Sequence, residues 1–488
     1  MAKHRIVRNL LILVSGQIIT WTISIAHLVL MSRYLGPVRL GEFVLAAAIT
    51  MVLGLIAGLG METYIVRAVA REPARSDTLV SAAVVARGGL LLLVPVCVFV
   101  YATLAHLNAT TADAAYIMSV GIGFQQLSGL FIATFQGHER MAYSSINNVV
   151  TNLSQLGLTL LAILINGGVI AFAINNTLIA AAVFALNVRW SRPFFHLTVR
   201  IKWRDITELL RGSLAFSAGN LFQTFYTSID SVILGLLGGS APVAYYGAGS
   251  RLLTVPMAIP FIAGQVTLPL LSRLGIDPGR DFEQASRKTI SLLIVTSVPL
   301  VVAIITFSSH AISLIFGARF DAAVPALMAL ACSVPFTFID MQFYQVLAAR
   351  DREVMWSIVM GVSCVLNPLI NLALIPFATY QWHNPAIGAA LSLTVTEGLM
   401  AIYGAYLLRS VVFHATVART LAGTLIGGFL QGALLHLLGP LPLLPSLIAE
   451  LAAGLVYVVA VLALGALPWT DVRYLLDVAL RRPRRATV

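Results

Sequence analysis

The sequence predicts an all-α fold: a polytopic membrane protein of about 14 transmembrane helices, built as two pseudo-symmetric six-helix bundles around a central cavity with two further C-terminal helices. Three observations predict it. Apolar residues make up 59% of the 488 residues and charged ones only 10%, where soluble domains carry about 25% charged residues. Apolar runs of the roughly 20 residues needed to cross hydrocarbon recur from Ile6 to Leu467, leaving no room for a soluble domain. The polar residues inside the early runs also reappear at matching places in later ones.

The first run, about 8–35, follows basic Lys3, Arg5 and Arg8. It is too long for a signal-peptide core and lacks a small-residue cleavage site, so it reads as the first helix. Runs near 42–66, 79–105, 114–136, 144–165 and 169–189 complete a first set. The joint that follows, "RWSRPFFHLTVRIKWRDITELLR", is basic and aromatic, which suits the membrane interface. A second set spans about 212–237, 243–271, 289–316, 323–347, 354–376 and 385–408, with 420–438 and 445–467 added at the end. The expected organisation is a bundle over 1–190, a cytoplasmic interfacial linker over 191–211, a second bundle over 212–409, two extra helices within 410–468 and a basic cytoplasmic tail over 469–488.

An even number of spans puts both termini on one side. If that side is the cytoplasm, 26 of the 31 Lys and Arg residues lie in inside joints, the asymmetry that sets membrane orientation. The net charge of +11 is then a topology signal rather than a nucleic-acid footprint. The tail "RRPRR" suits anionic headgroups, worth ~1 kcal/mol per charge. Cys97, Cys332 and Cys364 are scattered within apolar runs without ligand spacing, so neither a metal nor a cofactor is expected. The "NAT" at Asn108 fits a glycosylation acceptor, but chance explains three common residues better.

Placing Gly16 over Gly219 aligns Gln17 with Asn220, Thr20 with Gln223, Ser24 with Thr227 and His27 with Asp230. Spacings of three and four residues put each set on one helical face. Asn152, Gln155 and Thr159 likewise match Cys364, Asn367 and Asn371. Two halves of six spans each share one orientation and would be related by an axis along the membrane normal. A polar stripe in a span must face the bundle interior or water. Single Ser or Thr residues more often just bond neighbouring helices; a stripe matched in both halves and ending in ionisable groups favours a shared cavity.

The segment "SRYLGPVRLGEFVLAAAITMVLGLIAGLGMETYIVRAVARE" resembles the opening of Wzx-type polysaccharide flippases of the multidrug/oligosaccharidyl-lipid/polysaccharide (MOP) exporter superfamily. "YTSIDSVILGLLGGSAPVAYYGAGSRLLTVP", "NPLINLALIP" and "AIGAALSLTVTE" carry the same resemblance. It implies alternating access by two six-helix bundles and translocation of an undecaprenyl-pyrophosphate-linked oligosaccharide to the outer leaflet of a bacterial cytoplasmic membrane, for O-antigen, capsule or exopolysaccharide. It also implies polysaccharide polymerase and chain-length proteins as partners beside the lipid-linked oligosaccharide and the bilayer. The arginine-rich first helix of lipid II flippases and the Pro-plus-Asp pattern of drug/cation antiporters are not found here. A multidrug/cation antiporter remains the rival within the superfamily, and a membrane polysaccharide polymerase or glycosyltransferase the rival of another class, although no acidic pair or His-rich cluster lies in a long loop.

A pyrophosphate-sugar cannot cross hydrocarbon without a hydrated path, and arginine is the residue that grips phosphate oxygens in pairs. The candidate cavity residues are Arg33, Arg87, Arg251, His27, Asp230, Gln17, Asn220, Gln223, Gln155 and Asn367. Arg251 reads equally well as an ion-pair partner of Asp230; Arg87 can snorkel and Arg33 can anchor at the outer interface. His27 and Asp230 stand at equivalent depths, where they could form a titratable pair. Asp230, Glu62 and Glu397 are the candidates for ion coupling, to protons or sodium. Pro256 and Pro260 in "TVPMAIP" mark a bend or hinge, and Pro95, Pro299, Pro368 and Pro376 mark others.

Overall fold

The computed structural model describes residues 2–196, 198, 201–275, 279–439 and 441–467, with residues 2–21 and 215–220 described as backbone only. Its elements among these residues are helices. The order is α1 (Ala2–Gly58), α2 (Met61–Arg71), α3 (Ser76–Leu91), α4 (Leu93–Leu104), α5 (Ala109–Gly137), α6 (Met141–Leu164), α7 (Val169–Ser191), α8 (Trp203–Gly238) and α9 (Ser240–Leu253). There follow α10 (Ala258–Gly275), α11 (Arg280–Ile315), α12 (Val324–Ala331), α13 (Val334–Ala348), α14 (Glu353–Trp382), α15 (Pro385–Leu407), the short α16 (Arg409–Val412), α17 (Ala415–Leu438) and α18 (Leu443–Ala463).

Among the described residues, eleven helices are long and apolar enough to cross a membrane, or 13 when two bent pairs are each taken as one span. The remaining span of the expected 14 lies within α1. A continuous helix of 57 residues would be ~85 Å long, far beyond a hydrocarbon core of ~30 Å. Gly36 resolves this: at φ 69°, ψ 177° it leaves the helical region, and Pro37 starts a new helix. The bent pairs also have sequence causes. α9 and α10 meet at 43° across the "TVPM" segment containing Pro256, and the 318–331 segment meets α13 at 44° just before Pro335. Pro299, Pro368 and Pro376 lie inside unbroken helices.

The chain divides into two compact units. The first contains Met1–Gly247, Ile315–Phe320 and Asn367–Ala389; the second contains Ala248–Leu314, Asp321–Leu366 and Ala390–Val488. In the first, Met61, Ile65 and Val69 of α2 pack on Ala82, Ala83, Leu130 and Ala133, and on Ile206 and Leu209 of α8. The joint between α7 and α8 is tied to this unit: Phe195 is buried beside Phe131 and Phe135, and the His196 and Thr198 amides donate to Asp77 Oδ1 and Ser81 Oγ. From Trp203 the chain is already helical, so this joint is shorter than the basic and aromatic composition suggests. Asn108 caps α5 through its Oδ1 and donates from Nδ2 to Glu42 Oε1 at 2.8 Å, which accounts for an asparagine at that position. The tail 469–488 lies outside the described residues.

In the second unit Tyr457 and Val461 of α18 pack against Val295 of α11, and the Tyr457 hydroxyl donates to the Val295 carbonyl at 2.5 Å. Gly423 faces Ala466 and Gly427 faces Tyr457, so the glycine spacing of α17 serves its close packing with α18.

Two glycines in the first unit differ in what a side chain would meet. A Cβ on Gly41 would strike the backbone carbonyl of Ser240, whereas one on Gly235 would meet only the end of the Leu45 side chain. Gly41→Val is therefore expected to abolish folded protein in fluorescence-detected size exclusion, while Gly235→Ala keeps most of it. Equal yields of both variants would show that the α1 contact at Ser240 is not tight.

Candidate functional site

Polar side chains inside the spans of the first unit meet in pairs. On α1 and α6, Ser24 Oγ donates to Asn152 Oδ1 at 2.6 Å and His27 Nδ1 lies 2.8 Å from Thr159 Oγ1. On α8 and α14, Asn371 Nδ2 donates to Asp230 Oδ1 at 2.6 Å. His27 aligns with Asp230 and Thr159 with Asn371 in the internal repeat, so the two halves place the same contact between the same pair of spans. His27 and Asp230 thus each have a partner on the repeat-equivalent helix.

Asp230 is 1% exposed. Tyr246 Oη donates to its Oδ2 at 2.7 Å, and Asn371 Nδ2 also lies 3.0 Å from Asn367 Oδ1. The Asn371 Oδ1 atom is buried without a hydrogen-bond partner. No cation pairs with Asp230 among the described residues. The result is a buried carboxylate held by neutral donors in an oxygen-rich cluster, a state that suits binding and release of a proton or a small cation.

His27, Gln155 and Thr159 line a crevice of about 30 Å³ together with Asn175 and Asn176, space on the scale of one or two waters. A larger cavity of about 360 Å³ in the same unit is lined by Thr50, Glu62, Gln125, Gln126, Asn176 and Thr224 among apolar Ala47, Met51, Leu55, Met118 and Ile122. Gln125 and Gln126 were not singled out in the sequence. Two adjacent uncharged amides inside an apolar run are the signal that marks them.

Glu62, with a side chain 39% exposed, reaches this cavity from the start of α2 and is held by Arg87 at 2.7 Å. Arg87 itself is 0% exposed. Its Nε donates to Ala57 O at 3.1 Å, its NH2 to Gly58 O at 2.7 Å, and its NH1 to Gln126 O and Glu62 Oε1, both at 2.7 Å. Two of these carbonyls end α1, where a cation complements the helix dipole. Arg87 is a buried strut between α1, α2 and α5 rather than a snorkelling side chain.

Arg33 is exposed and its Nε lies 3.4 Å from the Ile315 carbonyl. Gln223 is exposed on α8. Gln17 and Asn220 lie outside the described side chains. In the second unit Arg251 is exposed on α9 and makes no ion pair among the described residues. There too Asp340, 4% exposed, leaves both carboxylate oxygens without a hydrogen-bond partner. Glu397, 6% exposed, is near enough for the two charges to interact. The pair joins α13 to α15.

The family model described as "Polysaccharide biosynthesis protein" matches residues 6–275, and the MatE model matches 216–373. No curated protein matches the chain. Among solved structures, the fold is similar to the lipid II flippase MurJ in an inward closed conformation, with a TM-score of 0.75, 15% identity, and 92% of this chain and 98% of that chain covered. It is also similar to an inward-facing multidrug resistance MATE family transporter of the MOP superfamily, with a TM-score of 0.64, 15% identity and coverage of 81% and 96%. A variant of the Vibrio cholerae MATE transporter VcmN gives a TM-score of 0.53 at 16% identity, with coverage of 81% and 96%. The family match spans more than half of the sequence, and the fold likeness nearly all of it. The chain belongs to the polysaccharide biosynthesis protein family, and its fold is the one seen in the MurJ and MATE structures.

Proposed function

We propose that this protein is a flippase for an undecaprenyl-pyrophosphate-linked oligosaccharide, moving it from the cytoplasmic to the outer leaflet of a bacterial inner membrane by alternating access, for surface polysaccharide synthesis. The observation that carries the reading is the 360 Å³ cavity of the first unit. Its polar lining is amide and hydroxyl, and its one carboxylate is already neutralised by Arg87. Such a surface suits sugar hydroxyls, whereas an organic cation would gain from an unpaired acid. The family match and the named flippase among its structural likenesses support the same substrate class.

In this reading 1–190 and 212–409 are the rocking halves, joined by 191–211 and followed by the helices of 410–468, with both termini cytoplasmic. Arg33 and Arg251 are its anchors for pyrophosphate, because both are arginines at exposed positions on the helices of apolar spans. His27, Gln155 and Gln223 line the sugar path, and Asn367, buried beside Asn371, belongs to the Asp230 cluster behind it. Asp230 carries ion coupling, and Glu397 with Asp340 is the acidic pair that can do so instead.

Two readouts separate this from the antiporter reading. Cells lacking the protein are expected to accumulate lipid-linked oligosaccharide on the cytoplasmic leaflet with unchanged resistance to cationic drugs. Drug sensitivity without lipid accumulation would instead assign it as an antiporter. Arg251→Ala is expected to weaken binding of the lipid-linked substrate by about tenfold or more at unchanged protein yield. Loss of yield with unchanged affinity would make Arg251 structural.

A further inference from the structure

The second unit holds a cavity of about 650 Å³ with no part in the reading above, within the ~300–1,000 Å³ range of small-molecule sites. It lies where the first turns of α11 and α17 meet the segment just after α18, so it sits at one end of three spans. Arg280, Arg287, Lys288 and His414 line it, opposed by a single acid, Glu283. Arg287 NH2 is committed to Glu283 Oε2 at 2.6 Å and to the Ser410 carbonyl at 3.2 Å, while its Nε is buried without a hydrogen-bond partner. Arg280 makes no ion pair among the described residues. The hydroxyls of Ser291, Thr416 and Thr420 complete the polar wall, and Thr420 Oγ1 donates to the Ala466 carbonyl at 2.8 Å, tying that wall to the end of α18.

Cations in excess, hydroxyl donors and an unmet buried N–H describe a site for phosphate oxygens. Its place at the end of spans identifies the source: basic pockets between transmembrane helices at the cytoplasmic surface take anionic lipid headgroups. Farther along α17, exposed Leu421, Leu425 and Phe429 offer apolar surface to acyl chains. The chain after Leu467 adds Arg473, Arg481, Arg482, Arg484 and Arg485 against Asp471 and Asp477, so its charge does not complement the cavity.

We propose that this cavity binds the phosphate headgroup of an anionic phospholipid of the surrounding leaflet, at the junction of α11, α17 and α18. The inference rests on the membrane fold alone, and it stands or falls separately from the transported substrate.

The test uses the full chain purified in detergent and titrated with cardiolipin or phosphatidylglycerol in mixed micelles, with phosphatidylcholine as the neutral control. Native mass spectrometry reads retained lipid. The wild-type protein is expected to retain the anionic lipids and not phosphatidylcholine. Arg280→Ala/Lys288→Ala, at two exposed positions, is expected to weaken retention by about 30-fold, the scale for removing two headgroup-facing cations. Its lipid-free unfolding midpoint should stay unchanged, and the control Arg67→Ala/Arg71→Ala in the first unit should retain lipid as the wild type does. Inorganic phosphate at matched concentration is expected not to displace the lipid. Equal retention by the α11 variant, equal loss in the control, equal binding of phosphatidylcholine or full displacement by inorganic phosphate would each overturn the assignment.

Discussion

Arg87→Ala is expected to remove folded protein from the membrane rather than to slow transport. The guanidinium is fully buried and four protein acceptors surround it, three of them backbone carbonyls of α1 and α5. Truncation leaves the Glu62 carboxylate without its cation and strands the carbonyls of Ala57, Gly58 and Gln126. Each buried carbonyl left without a donor costs ~1–3 kcal/mol, so three take a large share of the ~5–15 kcal/mol that keeps a domain folded. Arg87→Lys keeps the charge but loses the planar fork, so an intermediate yield is expected. Adding Glu62→Gln to Arg87→Ala removes the stranded charge and should recover part of the yield, which a simple loss of packing would not allow. Monodispersity and unfolding midpoint in detergent read these outcomes. A variant that melts like the wild type yet binds lipid-linked substrate poorly would return Arg87 to the role of a phosphate anchor.

The parts of this fold legible in the sequence are those set by local periodicity and by composition. The spans follow from apolar run length, and the break dividing α1 follows from Gly36 followed by Pro37, a pair no straight helix accommodates. The repeat aligns His27 with Asp230 and Thr159 with Asn371 but does not say which helices meet: the expected pair of His27 with Asp230 is replaced by His27 with Thr159 and Asp230 with Asn371, because each residue packs on a helix of its own half. The role of Arg87 was not legible. Most of its partners are backbone carbonyls, which carry no residue signature, and a charge inside an apolar run reads the same whether it faces a substrate or the ends of other helices. Asp340 and Glu397 stand on helices separated by α14, so their proximity is a tertiary fact. Gln125 and Gln126 are marked in the sequence only by being adjacent amides within an apolar run, a weak signal because they have no counterpart in the repeat stripe.

Asp230→Asn is expected to leave the fold in place and to stop coupled transport. The substitution keeps the volume and one acceptor oxygen, and Tyr246 can rotate its hydroxyl to accept from the new amide, so the contacts at 2.6 and 2.7 Å have substitutes. The unfolding midpoint should move by no more than about 2–4 °C, the scale of one lost kcal/mol. What the amide cannot do is gain and lose a proton or balance a cation. The carboxylate it replaces is 1% exposed and held only by neutral donors. Transport into vesicles is therefore expected to fall by about tenfold or more, and the residual rate to lose its response to an imposed proton or sodium gradient. Tyr246→Phe removes one neutral donor and leaves the carboxyl, so it should shift the gradient dependence while transport continues. His27→Ala is the control, because it alters the repeat-equivalent contact with Thr159 and leaves the acid intact. If Asp230→Asn transports at the wild-type rate with an unchanged gradient response, coupling does not run through this carboxyl, and the pair formed by Asp340 and Glu397 becomes the site to test by the same measurement.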